Sequence, residues 1–149
     1  MADRPEPSSA RQVTDDEEIR VLICGSRTWR DAFPIRAVLR QYADVGQTVV
    51  INGAAKWADS LADFYARSMS LEVEAYPADW SQYGKRAGYV RNSQMLTEGK
   101  PDVVWAFVDK PLAESRGTKM MVDIARKGGV PCYVVEAISP PTPDERNNS

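Results

Sequence analysis

The sequence lacks several of the residues on which common protein chemistries depend. It contains no histidine, which excludes Ser-His-Asp catalysis, Cys-His catalysis and histidine-ligated metals. Its only cysteines, Cys24 and Cys132, do not form a CxxC pair, which excludes a disulfide scaffold and a zinc ribbon and suits a reducing compartment. The longest apolar run, Val103 to Val108, is far shorter than the roughly 20 residues of a membrane span. No secretory signal is visible, so we expect a cytoplasmic protein without a resident metal or membrane contact.

The chain contains enough apolar residues to form the core of one packed domain. The chain has 149 residues, of which 43% are hydrophobic, and a formal net charge of -2. Residues 1–19 and 137–149 carry three basic and eight acidic residues, whereas residues 20–136 carry sixteen basic and thirteen acidic ones. A mildly basic core suits an anionic ligand, although ordinary surface charge gives the same balance. The excess is too small for duplex DNA, so a nucleic-acid partner is not expected.

The composition divides the chain into two tails and one domain. Residues 1–18 and 138–149 are polar and rich in proline or acid, and we expect both to be disordered. Between them, from residue 19 to 137, short apolar runs alternate with stretches of helical periodicity. The expected strands cover residues 21–24, 48–51, 71–76, 103–108 and 130–135. Residues 77–86 are expected to form a polar loop, and residues 87–98 a helix.

This alternation predicts an α/β fold of three layers, αβα, with a mainly parallel five-stranded sheet. Right-handed crossovers and an edge-type third strand fit the spatial order 3-2-1-4-5 of a Rossmann-like fold. A ligand should then lie at the carboxyl edge, where the loops that follow strands 1 and 4 diverge.

Three loops at this edge carry small residues together with a positive charge. Glycine lets backbone N–H groups approach an anion, and amides at a helix start favour a phosphate. A tight turn, an ordinary helix cap or a surface arginine would explain each loop equally well. The candidate ligand-binding residues in these loops are Gly25, Ser26, Arg27 and Trp29; Gly53, Ala54, Lys56 and Asp59; and Ser115, Arg116, Gly117 and Thr118.

Two further segments should reach the same edge of the sheet. Asp79 and Trp80 follow the third strand, and Arg91 and Asn92 lie in the next helix. An aromatic ring can stack on a base, whereas arginine and asparagine can bond a phosphate or a ribose. Trp57 in the second loop is either a packing residue or a stacking surface.

The order of these motifs resembles that of the YspA-like proteins of the SLOG superfamily. The shared segments are residues 20–29, 52–59, 77–80, 91–92 and 115–118. The superfamily also contains the DNA-processing protein DprA and the LOG phosphoribohydrolases. The resemblance covers nearly the whole domain and implies a Rossmann-like fold that binds a nucleotide, often as a homodimer, in small proteins of bacteria and their phages. The implied ligand is a nucleoside phosphate, ADP-ribose or an NAD-like species, with no other cofactor required.

Two departures from the family pattern affect the expected function. Trp57 stands where the family usually has glycine, and Met121 stands where LOG enzymes have their catalytic glutamate. Hydrolysis of an N-glycosidic bond needs a carboxylate, for which Asp59, Asp79 and Asp109 are the candidates. We therefore expect a nucleotide-binding protein, acting as a sensor, with a nucleotide hydrolase and a DprA-like single-strand binder as alternatives.

Overall fold

Five short apolar segments form one parallel sheet in the computed structural model, which describes residues 18–137. Its strands are β1 (Glu18–Gly25), β2 (Gln47–Asn52), β3 (Glu72–Ala75), β4 (Val103–Val108) and β5 (Cys132–Glu136). Their spatial order is β3-β2-β1-β4-β5, and every neighbouring pair is parallel. The predicted strand order is therefore confirmed, with β1 at the centre of the sheet and β3 at an edge.

Helices cover both faces of the sheet, because successive side chains of each strand point to opposite faces and both faces are apolar. The helices are α1 (Ala32–Ala43), α2 (Ala58–Ser68), α3 (Trp80–Tyr83), α4 (Ala87–Thr97) and α5 (Arg116–Lys127). Val21 and Ile23 face α1 and α2, whereas Leu22 and Cys24 face α4 and α5. The three-layer αβα arrangement predicted from the sequence is thus the observed one.

Local signals fix the helix ends that border the carboxyl edge. The side chain of Asp31 caps α1 by accepting a hydrogen bond of 3.0 Å from the amide of Phe33. Pro34 lies in the first turn of α1, where a missing N–H group costs nothing. At the opposite edge of the sheet, helix α5 ends at Gly128, as its periodicity predicts.

Several sequence-based boundaries differ from the structure by one or two residues, as for β2 and β3, and three differences change the assignment of a segment. Glu18, assigned to the N-terminal tail, is the first residue of β1 and pairs with Gln47. The polar loop expected over residues 77–86 contains α3 and a 3-10 turn, because Asp79 caps a helix there. Strand β5 begins at Cys132 and not at Val130, whose amide is bonded to Ala125 at the end of α5. The predictions for residues 1–17 and 138–149 lie outside the described residues.

Candidate functional site

The loops that follow β1 and β4 meet at the carboxyl edge of the sheet and are joined by a pair of serines. The hydroxyl oxygens of Ser26 and Ser115 lie 3.1 Å apart, and both side chains are buried. The amide of Asp109 also donates to the Ser26 hydroxyl at 3.3 Å. Arg27 and Arg116 each follow one of these serines, so they lie on one edge, as the strand order predicts.

Gly25 permits close packing of the backbone at this edge, where the sequence suggests a loop that binds an anion through its amides. A Cβ atom at Gly25 would lie 2.5 Å from the Phe107 carbonyl oxygen and 2.7 Å from the Ala58 Cβ atom. The amide of Ser26 is already bonded to the Phe107 carbonyl at 2.9 Å. The amide of Ser26 is therefore not available to an anion, because it is bonded to β4. What this loop offers a ligand is the exposed side chain of Arg27.

The loop after β2 is closed by a carboxylate of its own. Asp59 accepts hydrogen bonds from the amides of Gly53 and Ala55 at 3.1 and 3.0 Å, and Asn52 accepts from Ala54 at 2.7 Å. These three amides were expected to be free for a phosphate, and this expectation is wrong. Burial raises the pKa of the Asp59 carboxyl, while the bond from Ala55, the charge of Arg91 and the bond from Gly53 oppose that rise.

Helix α4 connects this closed loop with the start of α5. The guanidinium of Arg91 donates to the Gly53 carbonyl oxygen and, at 2.9 Å, to the side-chain oxygen of Asn92. The amide group of Asn92 donates to the Gly117 carbonyl at 3.1 Å. Both predicted residues are thus at the edge, where they bond to protein backbone. Burial lowers the pKa of Arg91, although Asp59 opposes this, and the positive charge of Arg27 adds to the lowering. Two guanidinium groups therefore lie within electrostatic reach of each other.

The first turn of α5 remains open to an external acceptor. Ser115 is the N-cap residue, but its hydroxyl contacts Ser26 and makes no capping bond to the helix. The amides of residues 116–118 have no acceptor among residues 18–137. Gly117 is exposed, and no atom lies within 4 Å of the position of a Cβ atom there. The exposed Arg116 has no acidic partner in the described part of the chain, so positive groups at this turn are unopposed.

The tryptophans at this edge differ in exposure. Trp29 is fully buried, packs on Phe107 with ring centroids 5.5 Å apart, and donates its indole N–H to the Asp31 carbonyl at 2.6 Å. Trp29 is therefore a core residue and presents no surface to a ligand. Trp80 is exposed and lies beside Gly88, close to the guanidinium of Arg91. Sequence reasoning placed Trp80 correctly, but it could not separate it from Trp29.

The candidate catalytic carboxylates are all hydrogen-bonded to their neighbours. Asp79 caps α3 through bonds of 3.1 Å from the Gln82 amide and 2.8 Å from the Ser81 hydroxyl. Asp109 accepts a bond of 2.9 Å from the Thr28 hydroxyl. Asp59 is engaged by its loop, as described above. Met121 is fully buried in the core on the α5 face, where a carboxylate would be desolvated.

A shallow groove of about 630 Å³ lies beside the candidate site, along α2. Its polar lining is already paired. Asp63 bonds Arg67 at 2.6 Å and Asn52 at 3.4 Å, and the Asn52 oxygen is taken by Ala54. The groove therefore offers a polar ligand little that is free, and the open turn of α5 is the better candidate for an anion.

The parallel sheet between two layers of helices, with loops that converge at its carboxyl edge, is that of a Rossmann-like protein. The family model described as "YspA, cpYpsA-related SLOG family" matches residues 19–83. The chain is also 39% identical, over 119 residues, to the Gene 61 protein of Mycobacterium phage D29, an alignment that covers 75% of this chain and 92% of that relative. The chain belongs to the YspA, cpYpsA-related SLOG family, which confirms the resemblance found in the sequence motifs.

Two further observations concern what the described residues do not contain. Between residues 18 and 137, no helix is both long and apolar enough to cross a membrane. Over the same range, no three acidic or cysteine side chains are grouped so that they could hold a metal ion.

Proposed function

We propose that the protein binds a nucleotide or a nucleotide-derived ligand, such as a nucleoside phosphate, ADP-ribose or an NAD-like species, and acts as a sensor of that ligand. The observation that carries the proposal is the open first turn of α5, which begins with the exposed Arg116 at the same edge of the sheet as the exposed Arg27. Free helix amides and guanidinium forks are the groups that phosphates select in proteins. Membership of the SLOG family supports a nucleotide over other phosphorylated ligands.

The position of the phosphate follows from which amides are unoccupied. The amides of Gly53 and Ala55 are bonded to Asp59, whose carboxylate also lies in the first turn of α2, whereas the first turn of α5 carries no acidic residue. The ligand's phosphate therefore binds at residues 116–118. Arg27 approaches it from the loop after β1, and Arg116 from the helix itself. Arg91 adds positive charge nearby while holding the Gly53 carbonyl. A phosphate would also relieve the repulsion between Arg27 and Arg91, which adds to the lowering of the Arg91 pKa by burial.

Binding without turnover is favoured over N-glycosidic hydrolysis by the state of the carboxylates. Asp59, Asp79 and Asp109 each accept hydrogen bonds from neighbouring groups. The residue at the family's catalytic glutamate position, Met121, lies in the core. A DprA-like single-strand binder would need a long basic track with exposed aromatic rings, and the small positive excess of the core argues against one. A homodimer remains a prediction from the resemblance, and a cytoplasmic location remains a prediction from the composition of the sequence.

The proposal is tested by titrating nucleotides into the parent protein and the Arg116→Ala variant, after native mass spectrometry has identified any nucleotide that co-purifies. We expect the variant to bind about ten- to a hundredfold more weakly, because a charge-assisted fork contributes roughly 1.5–3 kcal/mol. Its melting temperature should be unchanged, since Arg116 is exposed and has no acidic partner between residues 18 and 137.

Lys127→Ala is the matched control, because it removes one positive charge from the opposite end of the same helix. It should leave the affinity within about twofold of the parent value, since its distance from the first turn exceeds a Debye length. Equal losses of nucleotide affinity in both variants would show that the effect comes from the overall charge of the protein. Equal affinity of Arg116→Ala and the parent would remove the start of α5 from the site. A parent protein that binds no nucleotide would overturn the proposal.

A further inference from the structure

Trp57 holds a backbone conformation that a tryptophan rarely adopts. This residue immediately precedes α2, and its φ and ψ angles are 65° and -97°. Positive φ is natural for glycine but strained for a residue with a bulky side chain. Glycine would make the same turn without strain, so the turn itself gives no reason for an indole ring. Strained residues of this kind are concentrated at ligand sites, where the side chain is needed in one place.

The surroundings of the Trp57 ring resemble half of a stacking site. The guanidinium carbon of Arg30 lies 3.8 Å from the ring centroid, which is cation–π geometry. Arg30 belongs to the loop after β1 and has no acidic partner among the residues that the structure describes. Trp57 as a whole residue keeps 39% of its surface exposed in spite of this contact. One face of the indole is therefore covered by Arg30, while the exposed remainder is available at the edge of the sheet.

Trp57 and the open turn of α5 both lie beside the end of β1. The Cβ atom of Ala58, the residue after Trp57, lies 2.7 Å from the position of a Cβ atom at Gly25. The hydroxyl of Ser115, the residue before Arg116, lies 3.1 Å from that of Ser26. The indole and the open turn therefore lie on either side of the Gly25–Ser26 segment. A nucleoside phosphate has its base and its phosphate at opposite ends of a ribose, and it can span this interval. The exposed Arg27 lies on the strand end between them.

We propose that Trp57 is the base-stacking residue of the site, with the base on the indole face opposite to Arg30. This inference rests on the proposed function and adds to it the group that recognises the aromatic part of the ligand. Stacking uses the π-face that every base possesses, so Trp57 favours nucleotides over sugar phosphates but discriminates little among bases. Arg30 fixes the orientation of the indole ring by its contact with the other face, and it needs no contact with the ligand.

Trp80 is the competing aromatic residue, because it is also exposed and lies near Arg91. It begins a short helix capped by Asp79, and it is not among the non-glycine residues with positive φ. Its position is thus explained by the cap, whereas that of Trp57 is not. The two residues make a matched pair for an experiment, since each variant leaves the other ring in place.

The experiment measures binding of the four ribonucleoside 5′-monophosphates by calorimetry and of ribose 5-phosphate by phosphorus NMR titration. The proteins compared are the parent, Trp57→Gly, Trp57→Phe, Trp80→Ala and Arg116→Ala. We expect Trp57→Gly to weaken all four nucleotides by about ten- to a hundredfold, as the loss of one stacked base predicts, and to leave ribose 5-phosphate unchanged. Trp57→Phe should bind within a few-fold of the parent. Trp57→Gly should also keep or raise the melting temperature, because glycine relieves the backbone strain.

The outcomes separate this inference from the proposed function. Nucleotide affinity that is unchanged in Trp57→Gly but reduced in Arg116→Ala overturns the inference and leaves the proposed function intact. Loss of base-dependent affinity in Trp80→Ala, and not in Trp57→Gly, assigns stacking to the other ring and overturns it as well. Equal weakening of ribose 5-phosphate and nucleotides in Trp57→Gly shows a disturbed loop without base stacking. If the parent binds no nucleotide, both proposals fail.

Discussion

The loops before α2 and α5 lie at the same edge of the sheet but differ in the charge at the helix start. Both are short, and both lead into a helix through a residue that provides no side-chain cap. In both helices the first-turn amides keep no acceptor within residues 18–137. The first turn of α2 carries the Asp59 carboxylate, which also occupies the amides of Gly53 and Ala55. The first turn of α5 carries no acidic residue, and its N-cap residue Ser115 turns towards Ser26.

The difference teaches that an internal carboxylate and an external phosphate compete for the same groups. An aspartate tethered one turn into a helix reaches the preceding amides without losing the translational freedom that a free anion must lose. A loop that carries such an aspartate is closed to a phosphate and becomes a structural clasp. A loop that lacks one is open.

The largest expected effect comes from removing the internal anion. Asp59→Ala leaves the buried amide of Gly53 and the part-buried amide of Ala55 without an acceptor, and we expect it to lower the free energy of unfolding by about 2–4 kcal/mol. Acetate or phosphate in the buffer should restore part of the melting temperature by binding where the carboxylate was. Asp123→Ala is the control, because it breaks only the exposed 2.7 Å ion pair with Lys119 and should cost less than about 1 kcal/mol. Equal free energies of unfolding in the two variants, measured by urea denaturation, would contradict the stabilising role of Asp59 in its loop.

The reverse change, adding an internal anion to the open turn, should have the next largest effect. Gly117→Asp places a carboxylate in the first turn of α5, where the space beside Gly117 is empty. We expect it to weaken nucleotide binding roughly tenfold and to stabilise the fold by about 1 kcal/mol, through helix propensity and the helix dipole. Gly117→Ala should give most of the added stability with little loss of affinity. If the aspartate variant binds nucleotide as tightly as the alanine variant, the phosphate does not lie at this turn.

A smaller effect is expected from the contact that holds the open turn beside β1. Ser26→Ala removes the buried 3.1 Å contact with the Ser115 hydroxyl and the acceptor for the Asp109 amide. We expect a loss of about 1–2 kcal/mol in unfolding free energy and a weaker phosphate site, since the two loops are no longer joined. Thermal melts and nucleotide titrations of the same samples measure both. A variant with unchanged affinity would show that the start of α5 is positioned by other contacts.

The smallest effect is a pH dependence that distinguishes the closed loop. Burial raises the pKa of Asp59 in the folded protein above the ordinary aspartate value of 3.8, so the folded chain holds this proton more firmly than the unfolded one. Stability contributed by this group is therefore present below about pH 4 and is lost as the pH rises through the folded pKa. Asp59→Asn lacks this titration, so its stability relative to the parent should improve between pH 3.5 and 7. A difference between the two melting temperatures that does not change with pH would contradict the direction of the shift.

The sequence predicts most of the fold because its signals are local. Runs such as Val103–Val108 are buried on both faces and read directly as strands, and the alternation with helical stretches selects the strand order. The errors are at the ends of elements, such as Glu18 and Val130, where pairing with a distant strand or with a helix end decides the boundary. The short helix at Trp80–Tyr83 was missed because its cap, Asp79, lies in an otherwise polar segment.

The candidate site was predicted less completely than the fold. The edge, the two exposed arginines and the serine-containing loops follow from the strand order. Trp29 and Trp57 could not be ranked, since a tryptophan near a loop packs inward or outward according to neighbours that the pattern does not show. Phe107 buries Trp29, and Arg30 supports Trp57 at the surface. No pattern in the sequence pointed to Arg30.

By itself, the sequence determined the parallel sheet, its strand order, the edge on which the loops converge and the family to which the chain belongs. These depend on periodicity and on short motifs, which neighbouring residues specify. The tertiary structure alone decided which of these loops is open. That choice depends on single contacts of about 3 Å between residues far apart in the chain, such as Ser26 and Ser115. A hydrogen bond has so short a range that only the folded arrangement fixes which amides are left for a ligand.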